Sequence, residues 1–329
     1  MAIAFGPAVF AMDEEAEVAR ISEMIRSYLV RHKRKGAVVA VSGGIDSSVV
    51  AALCVRALGP ERVFGLHMPE SESAGETLDF SRSLTDSLGI DSVLEDISPI
   101  LAAAGCYRRR DDAIRRVVPD YGPDHKSKIV LPSVVDSDSL RLYSVVVQAP
   151  DGSQSTHRLT ADAYLEIVAA TNFKQRSRKM LEYFHADRLN YAVTGTPNRL
   201  EYDQGFFVKL GDGSADVKPI AHLYKTQVYA LAAYLGVPQE IRDRPSTTDT
   251  YSLPQSQEEF YFSLPYDRMD LCLYALNHDV PIGAVTEATG LTAEQVERVY
   301  RDIEQKRRTT AYLHEPPVLA APVGEVAPH

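Results

Sequence analysis

The stretch Ala37-Val38-Val39-Ala40-Val41-Ser42-Gly43-Gly44-Ile45-Asp46-Ser47-Ser48 changes character within a few residues. Its first five positions are a short apolar, β-branched run, which reads as a strand. Two glycines follow, and apolar residues then recur at Val50, Leu53, Cys54 and Ala57, which is helical spacing. A strand that turns through glycines straight into a helix forms an anion cradle. The glycines let backbone N–H groups converge, the helix N-terminus adds the positive end of its dipole, and Ser42, Ser47 and Ser48 add hydroxyl donors. There is no GxxxxGKS/T and no GxGxxG, so this is neither the usual ATP loop nor the dinucleotide fingerprint. Taken alone, Ser-Gly-Gly suits an ordinary strand-to-helix turn, and an isolated Asp46 is an ordinary N-cap.

The pattern continues outward. Gly59-Pro60 stops the first helix, 63–67 reads as a second strand, and Ser73 with Glu76 is a capping-box spacing that opens a helix ended by Gly89. A third strand is expected over 91–97. Repeated strand–helix units of this length predict an α/β fold with a doubly wound, mainly parallel sheet. From about 106 to 160 the character changes. Charge-dense RRRDDAIRR gives way to a Pro/Gly/Asp-rich stretch, and then to a β-hairpin turning at Pro150-Asp151-Gly152. This segment reads as an insertion. The βα pattern resumes with a helix over 161–185, a strand over 190–194 and a helix over 222–235 closed by Gly236-Val237-Pro238. The C-terminal third is predicted helical: 266–278, 281–288, and a helix capped by Thr292 and Gln295 that ends in Lys306-Arg307-Arg308. Residues 1–12 are expected to be flexible, 13–315 to form one domain, and 316–329 to be a disordered tail.

Composition narrows the function classes. The chain has 329 residues, 45% of them hydrophobic and 24% charged, with a net charge of −10. No apolar run is long enough for a membrane span, and MAIAFGPAVFAMDEE lacks a basic n-region, so neither membrane nor export is expected. An acidic total disfavours broad electrostatic contact with nucleic acid. Cys54, Cys106 and Cys272 are far apart and without ligand spacing, so no disulfide framework or structural zinc is encoded. The expected location is the cytoplasm.

The full string SGGIDSS after an apolar strand resembles the pyrophosphate loop of the N-type ATP pyrophosphatases, which cut ATP between its α- and β-phosphates. Further motifs in order resemble the NAD synthetase family of that superfamily. Asn172-Phe173-Lys174-Gln175-Arg176 resembles the family's Asn-Ile/Phe-Lys-Ala-Arg. Gly195-Thr196-Pro197-Asn198-Arg199-Leu200-Glu201 is similar to its Gly-Thr-Gly/Ser-Asn-Lys/Arg-Ser/Thr-Glu. KLGDGSADVKP at 209–219, Leu223-Tyr224-Lys225-Thr226-Gln227-Val228, Pro245-Ser246-Thr247 and Glu304-Gln305-Lys306-Arg307-Arg308 follow in register. The likeness covers about 15–105 and 165–315. It implies an adenine nucleotide alpha hydrolase-like fold in the short form, without an attached glutaminase domain.

The resemblance also implies a reaction. The carboxylate of nicotinic acid adenine dinucleotide attacks the α-phosphorus of the co-substrate ATP, and ammonia then displaces AMP from the acyl-adenylate. By position, Ser42, Gly43, Gly44, Asp46, Ser47 and Ser48 would bind pyrophosphate, and Asp46 and Glu201 would hold Mg²⁺. Arg176 and Thr196 match ATP-contacting positions, Lys225 a lysine placed against the phosphates, and Thr247 a mobile loop that closes over them. Asp46, Lys225 and Thr247 are thus the catalytic candidates. Lys209, Asp212 and Asp216 lie in the segment the family uses around the dinucleotide, although Asp212 in Gly-Asp-Gly also suits a plain turn. Short members are homodimers, so a homodimer is expected.

Pro197, Leu200 and the aromatic-rich 247–270 stretch depart from the family on the substrate side, as does the insertion. A paralogue amidating another carboxylic acid therefore stays open. So does the ammonia source, either free or passed from a separate glutaminase. The paired C-terminal helices with a basic end also fit a helix-turn-helix, but packing and dipole compensation explain them without DNA. His67, His185 and His222 show no catalytic or metal-binding arrangement.

Overall fold

In the computed structural model, residues 5–73, 75–131, 143–247 and 250–324 are described. The first helix, α1 (Glu14–Arg31), starts where Asp13 Oδ1 accepts the Ala16 N–H (2.9 Å), with Glu14, Glu15 and Glu17 against the positive end of its dipole. β1 (Ala37–Ala40), α2 (Ile45–Leu58), β2 (Val63–His67), α3 (Gly75–Leu88) and β3 (Asp91–Leu94) follow. With β7 (Ala192–Val193) the strands form a parallel sheet ordered β3-β2-β1-β7.

Alternation along β1 shows that both faces are covered. Val39 packs with Ile21 and Ile25 of α1 and with Val49 and Leu53 of α2. Val38, on the opposite face, packs with Ile97, Leu101, Ala186 and Val193. This is the doubly wound arrangement expected from the sequence. Ser73 does not cap α3, because its hydroxyl accepts the Glu70 N–H instead (3.1 Å), and position 74 lies outside the described residues.

Two short helices, α4 (Ser98–Ala103) and α5 (Cys106–Arg115), lead to a second, antiparallel sheet of β4 (Lys126–Val130), β5 (Ser144–Gln148) and β6 (Gln154–Arg158), ordered β4-β5-β6. The expected hairpin is β5–β6, closed by Gly152 N–H to Ala149 O (2.9 Å), with Gly152 at φ +85°. Two parts of this region had no forecast. All of RRRDDAIRR but its last residue, the C-cap Arg116, lies within helix α5, and β4 adds a third strand. The segment also shares a core with the long helix α6 (Ala161–Leu189): Ala113, Ile114, Ile129, Val145 and Val147 pack with Ala163 and Ile167.

Beyond α6 come β7, α7 (Arg199–Gln204), α8 (Lys225–Tyr234), α9 (Gln239–Arg242) and the helices α10 (Tyr266–Asn277), α11 (Ile282–Thr289) and α12 (Ala293–Thr310). The predicted cap of α12 is present, with Thr292 Oγ1 accepting the Gln295 N–H (3.2 Å) and Gln295 Oε1 the Thr292 N–H (2.9 Å). Residues 316–324 are exposed and without helix or strand, and 325–329 lie outside the described residues.

The expectation of a flexible 1–12 does not hold for the part described. Pro7–Phe10 is a 3₁₀ turn, and Phe10 is only 6% exposed, its ring 5.0 Å from Tyr224 and 5.8 Å from Tyr274. Aromatic burial of this kind outweighs the entropy of a free end. No helix among the described residues is long and apolar enough to cross a membrane. The three cysteines are free and buried, and burial pushes the Cys54 thiol up to about 12. Phe10→Ala should lower the free energy of unfolding by about 3 kcal/mol in urea titration. An unchanged midpoint would mean that the segment contributes no packing.

Candidate active site

The turn after β1 is built around Gly43, whose φ of +69° is the left-handed region. A Cβ there would lie 2.7 Å from Thr77 O and 3.0 Å from Phe80 Cβ, so only glycine fits. Gly44 is the N-cap of α2, and its carbonyl accepts from Ser48 Oγ (2.8 Å) and Ser47 Oγ (3.0 Å). Ser42 Oγ lies 3.0 Å from Ser47 Oγ. The hydroxyls thus brace the turn, while the first N–H groups of α2 have no acceptor inside their own helix.

Asp46, in the first turn of α2, meets two other helix starts. Lys225, first residue of α8 and fully buried, sets its Nζ 2.5 Å from Asp46 Oδ2. Asn198 Nδ2 donates to Asp46 Oδ1 (3.1 Å), and the same Asn198 caps α7, accepting the Glu201 N–H (3.2 Å) while Glu201 Oε2 accepts its own N–H (3.1 Å). Behind them Asp270 of α10 accepts from the Lys225 and Thr226 N–H groups (3.2 and 2.7 Å) and from Thr226 Oγ1 (2.7 Å).

The charges do not balance. Burial works against the Lys225 ammonium, but Asp46 and Glu201 raise its pKa above the ordinary lysine value. Two carboxylates share that one ammonium. Burial, and then the Asp46 charge, lift Glu201 to about 8, with Lys225 opposing. Burial lifts Asp270 to about 6 against the hydrogen bonds it accepts.

A cavity of 1170 Å³ opens beside this centre and runs to the end of α12. Of the residues expected at the site, Ser42, Gly44, Asp46, Ser47, Arg176, Thr196, Glu201, Lys209, Asp212 and Thr247 line it. Gly43, Ser48 and Lys225 do not line it, though Lys225 is joined to Asp46, which does. Asp216 is elsewhere: its Oδ2 accepts the Val193 N–H (2.8 Å) and so fastens β7. Asp212 is buried, its Oδ1 accepting the Val208 N–H (2.7 Å), and burial raises its pKa. Lys209 donates to the carbonyls of Tyr312 (2.6 Å) and Glu315 (3.3 Å), and its own carbonyl accepts from Arg176 Nε (3.3 Å).

Three residues were not singled out in the sequence. Asn198 carried a readable signal, since Asn-x-x-Glu is a capping spacing. Arg244 carried none, and it reaches the loop from far along the chain, with Nη2 donating to Thr77 Oγ1 (2.9 Å) and Nη1 to Gly43 O (3.5 Å). Asp270 sits mid-helix, where its spacing says nothing of α8.

The histidines form no joint site. His67 is buried against Ser81, His185 contacts Glu95 (2.9 Å), and His222 contacts Glu17 (2.7 Å). Lys306 and Arg307 at the basic end of α12 turn inward: Lys306 Nζ donates to Tyr261 O (2.6 Å) and Arg307 Nε to Asp203 Oδ1 (2.6 Å).

A glycine turn opening onto a helix start, with a buried acid–lysine centre at the carboxyl end of a parallel sheet, is the architecture of a nucleotide-activating α/β enzyme. The chain belongs to the NAD synthase family, whose model matches residues 17–116 and 137–312, and the family consists of ATP-dependent ligases. An NH₃-dependent NAD⁺ synthetase of Mesorhizobium japonicum is 58% identical over 318 residues, covering 96% of this chain and 100% of the other. Its counterpart in Rhizobium meliloti is 56% identical over 324 residues, covering 98% and 97%. Alignments this complete include the inserted sheet. Among solved structures, an NMN synthetase of Francisella tularensis (TM-score 0.65, 20% identity, 94% and 99% covered) and an NH₃-dependent NAD synthetase of Campylobacter jejuni (TM-score 0.61, 23%, 94% and 100%) share the fold.

The Glu201 carboxyl gives a pH signature. Below its ordinary value of 4.5 it is protonated whether the chain is folded or not; between there and about 8 only the unfolded chain releases the proton. Stability therefore falls as pH rises through that window. In metal-free protein, Glu201→Gln should raise Tm relative to the parent at pH 8.5 and leave it unchanged at pH 4.5. Equal melting at both values would mean that the carboxyl is not perturbed.

Proposed function

We propose that this protein converts nicotinic acid adenine dinucleotide to NAD with ammonia as the nitrogen donor, consuming ATP and releasing AMP and pyrophosphate. The observation that carries the reading is the likeness to the Mesorhizobium japonicum NH₃-dependent NAD⁺ synthetase over 96% of the chain. The substrate carboxylate attacks the α-phosphorus, the bond to the β-phosphate oxygen breaks, and pyrophosphate leaves. Ammonia then adds to the acyl carbon, AMP departs, and a proton is released. Neither step needs a covalent bond to the protein, so positioning and electrostatics are what the chain supplies.

Ser42, Gly43, Gly44, Ser47 and Ser48 form the pyrophosphate cradle, and Thr196 and Arg176 contact ATP. Lys225 keeps Asp46 oriented and places positive charge where the phosphates carry negative charge, and Thr247 closes on them. Lys209 and Asp212 border the dinucleotide. Asp216 acts from behind, through β7.

Asp46 and Glu201 suit Mg²⁺, since they are hard oxygen donors and a bound cation would displace the proton that burial and Asp46 hold on Glu201. No group of three or more acidic, histidine or cysteine ligands occurs among the described residues, so phosphate oxygens and water would complete the shell. When bound, Mg²⁺ neutralises phosphate charge.

Residues 13–315 act as one catalytic domain carrying the insertion. The cytoplasm suits its three unpaired thiols, and the ammonia is free or delivered by a separate glutaminase. A second copy of the chain covers α6, where Met180 and Phe184, one turn apart, are 54% and 56% exposed.

Purified protein with MgATP and ammonium should release AMP in step with NAD when given nicotinic acid adenine dinucleotide. AMP release only with some other carboxylic acid would assign it a different substrate. Lys225→Met should cut kcat/KM about 10²–10³-fold, and activity near parental would remove Lys225 from the phosphate step. Phe184→Asp should convert a dimer to a monomer in light scattering, and an unchanged mass would place the interface elsewhere.

A further inference from the structure

Among the buried charges, one cluster plays no part in the chemistry above. Lys174 of α6 is 1% exposed, and its Nζ donates to Glu70 Oε1 (2.8 Å), Glu72 Oε2 (2.8 Å) and the carbonyl of Thr250 (2.9 Å). The carboxylates are themselves held. Tyr107 OH donates to Glu70 (2.7 Å), and Arg110 Nη1 to both oxygens of Glu72 (2.6 Å each). Burial opposes the Glu72 charge, but Lys174 and Arg110 keep its carboxyl below the usual range. The ammonium is therefore fixed from one side by two anchored acids. Its remaining hydrogen bond goes to a neutral backbone carbonyl and is charge-assisted.

That carbonyl begins a segment fastened to the inserted sheet. Ser127 N–H donates to Ser252 Oγ (2.9 Å), Leu253 N–H to Ser127 O (3.1 Å), and Gln255 Nε2 to Ile129 O (2.8 Å). Tyr251 is buried in the core of the insertion. The far end of the segment holds the catalytic candidate: Ser256 bridges antiparallel to Thr247, and Gln257 N–H donates to Ser246 O (3.2 Å). An ion cluster and a strand edge thus grip residues 250–257, and those residues set where Thr247 stands in the cavity wall.

We infer that Lys174 is a positioning residue for the ATP step and that the inserted strand β4 is its counterpart, the two together holding 250–257 so that Thr247 faces the phosphates. The insertion then serves the site directly, because it supplies from within the chain a fixed support for a segment that reaches over the cavity. The inference rests on the proposed reaction for the step it names, but the support itself can be read without turnover.

The test uses the full chain, with amide hydrogen exchange over 250–257 beside steady-state kinetics. Lys174→Met should speed exchange there about tenfold while β1 and α2 keep parental rates. It should also lower kcat about 100-fold with the KM for the dinucleotide little changed. Lys174→Arg, which keeps the charge, should recover most of both. Parental exchange in a folded Lys174→Met protein, or faster exchange with parental kcat, overturns the inference. Should Lys174→Met not fold, Gln255→Leu decides: faster exchange with lower kcat upholds the part given to β4, and parental values of both overturn it. A parent inactive on the dinucleotide whose variants still show the exchange pattern supports the positioning role and sinks the proposed substrate instead.

Discussion

The structure turns on one buried ion pair, Lys225 with Asp46. A fully buried ammonium is tolerated only with a close anion and well-placed neighbours. Meeting that condition brings three helix starts to one point: α2 supplies Asp46, α8 supplies Lys225, and α7 supplies Asn198 and Glu201. Asp270 then fastens the start of α8 from behind. Each contact is a capping interaction or a charge at a helix terminus, so the forces that end helices also build the site. The pair belongs to one network with Glu201, whose carboxyl burial and Asp46 keep protonated up to about pH 8; an arriving cation would favour its charged form and offset the charge of a polyanion beside it.

Much of this was legible in the sequence because the information is local. The strand, the Ser-Gly-Gly turn and α2 lie within two dozen residues, and period and glycine placement define them. The β5–β6 hairpin and the cap of α12 were readable for the same reason. Helix α1 lacked a forecast although its Asp13 cap is plain. In α5 the charge density of RRRDDAIRR masked Ala113 and Ile114, which are buried against α6. β4 had no forecast because it ends at Val130 and its partner β5 begins only at Ser144, and pairing over such a separation leaves no local period.

The site was legible where a motif kept its residues together and obscure where geometry alone assembled it. Ten of the expected residues share the cavity wall, whereas Asp216, four positions from Asp212, serves β7. Within such a turn, backbone direction decides which carboxylate faces inward, and spacing does not encode it. Arg244 and Asp270 act across sequence distances that no short pattern spans. The motifs name the chemistry, and the long-range contacts aim it.

The grip of Lys209 on the carbonyls of Tyr312 and Glu315 ties the far end of the chain to the cavity. One boundary of that cavity is formed near Ser42 and another near Tyr312. The two walls are thus held together by contacts between residues far apart in the chain, so loosening the 312–315 end would open the compartment to water.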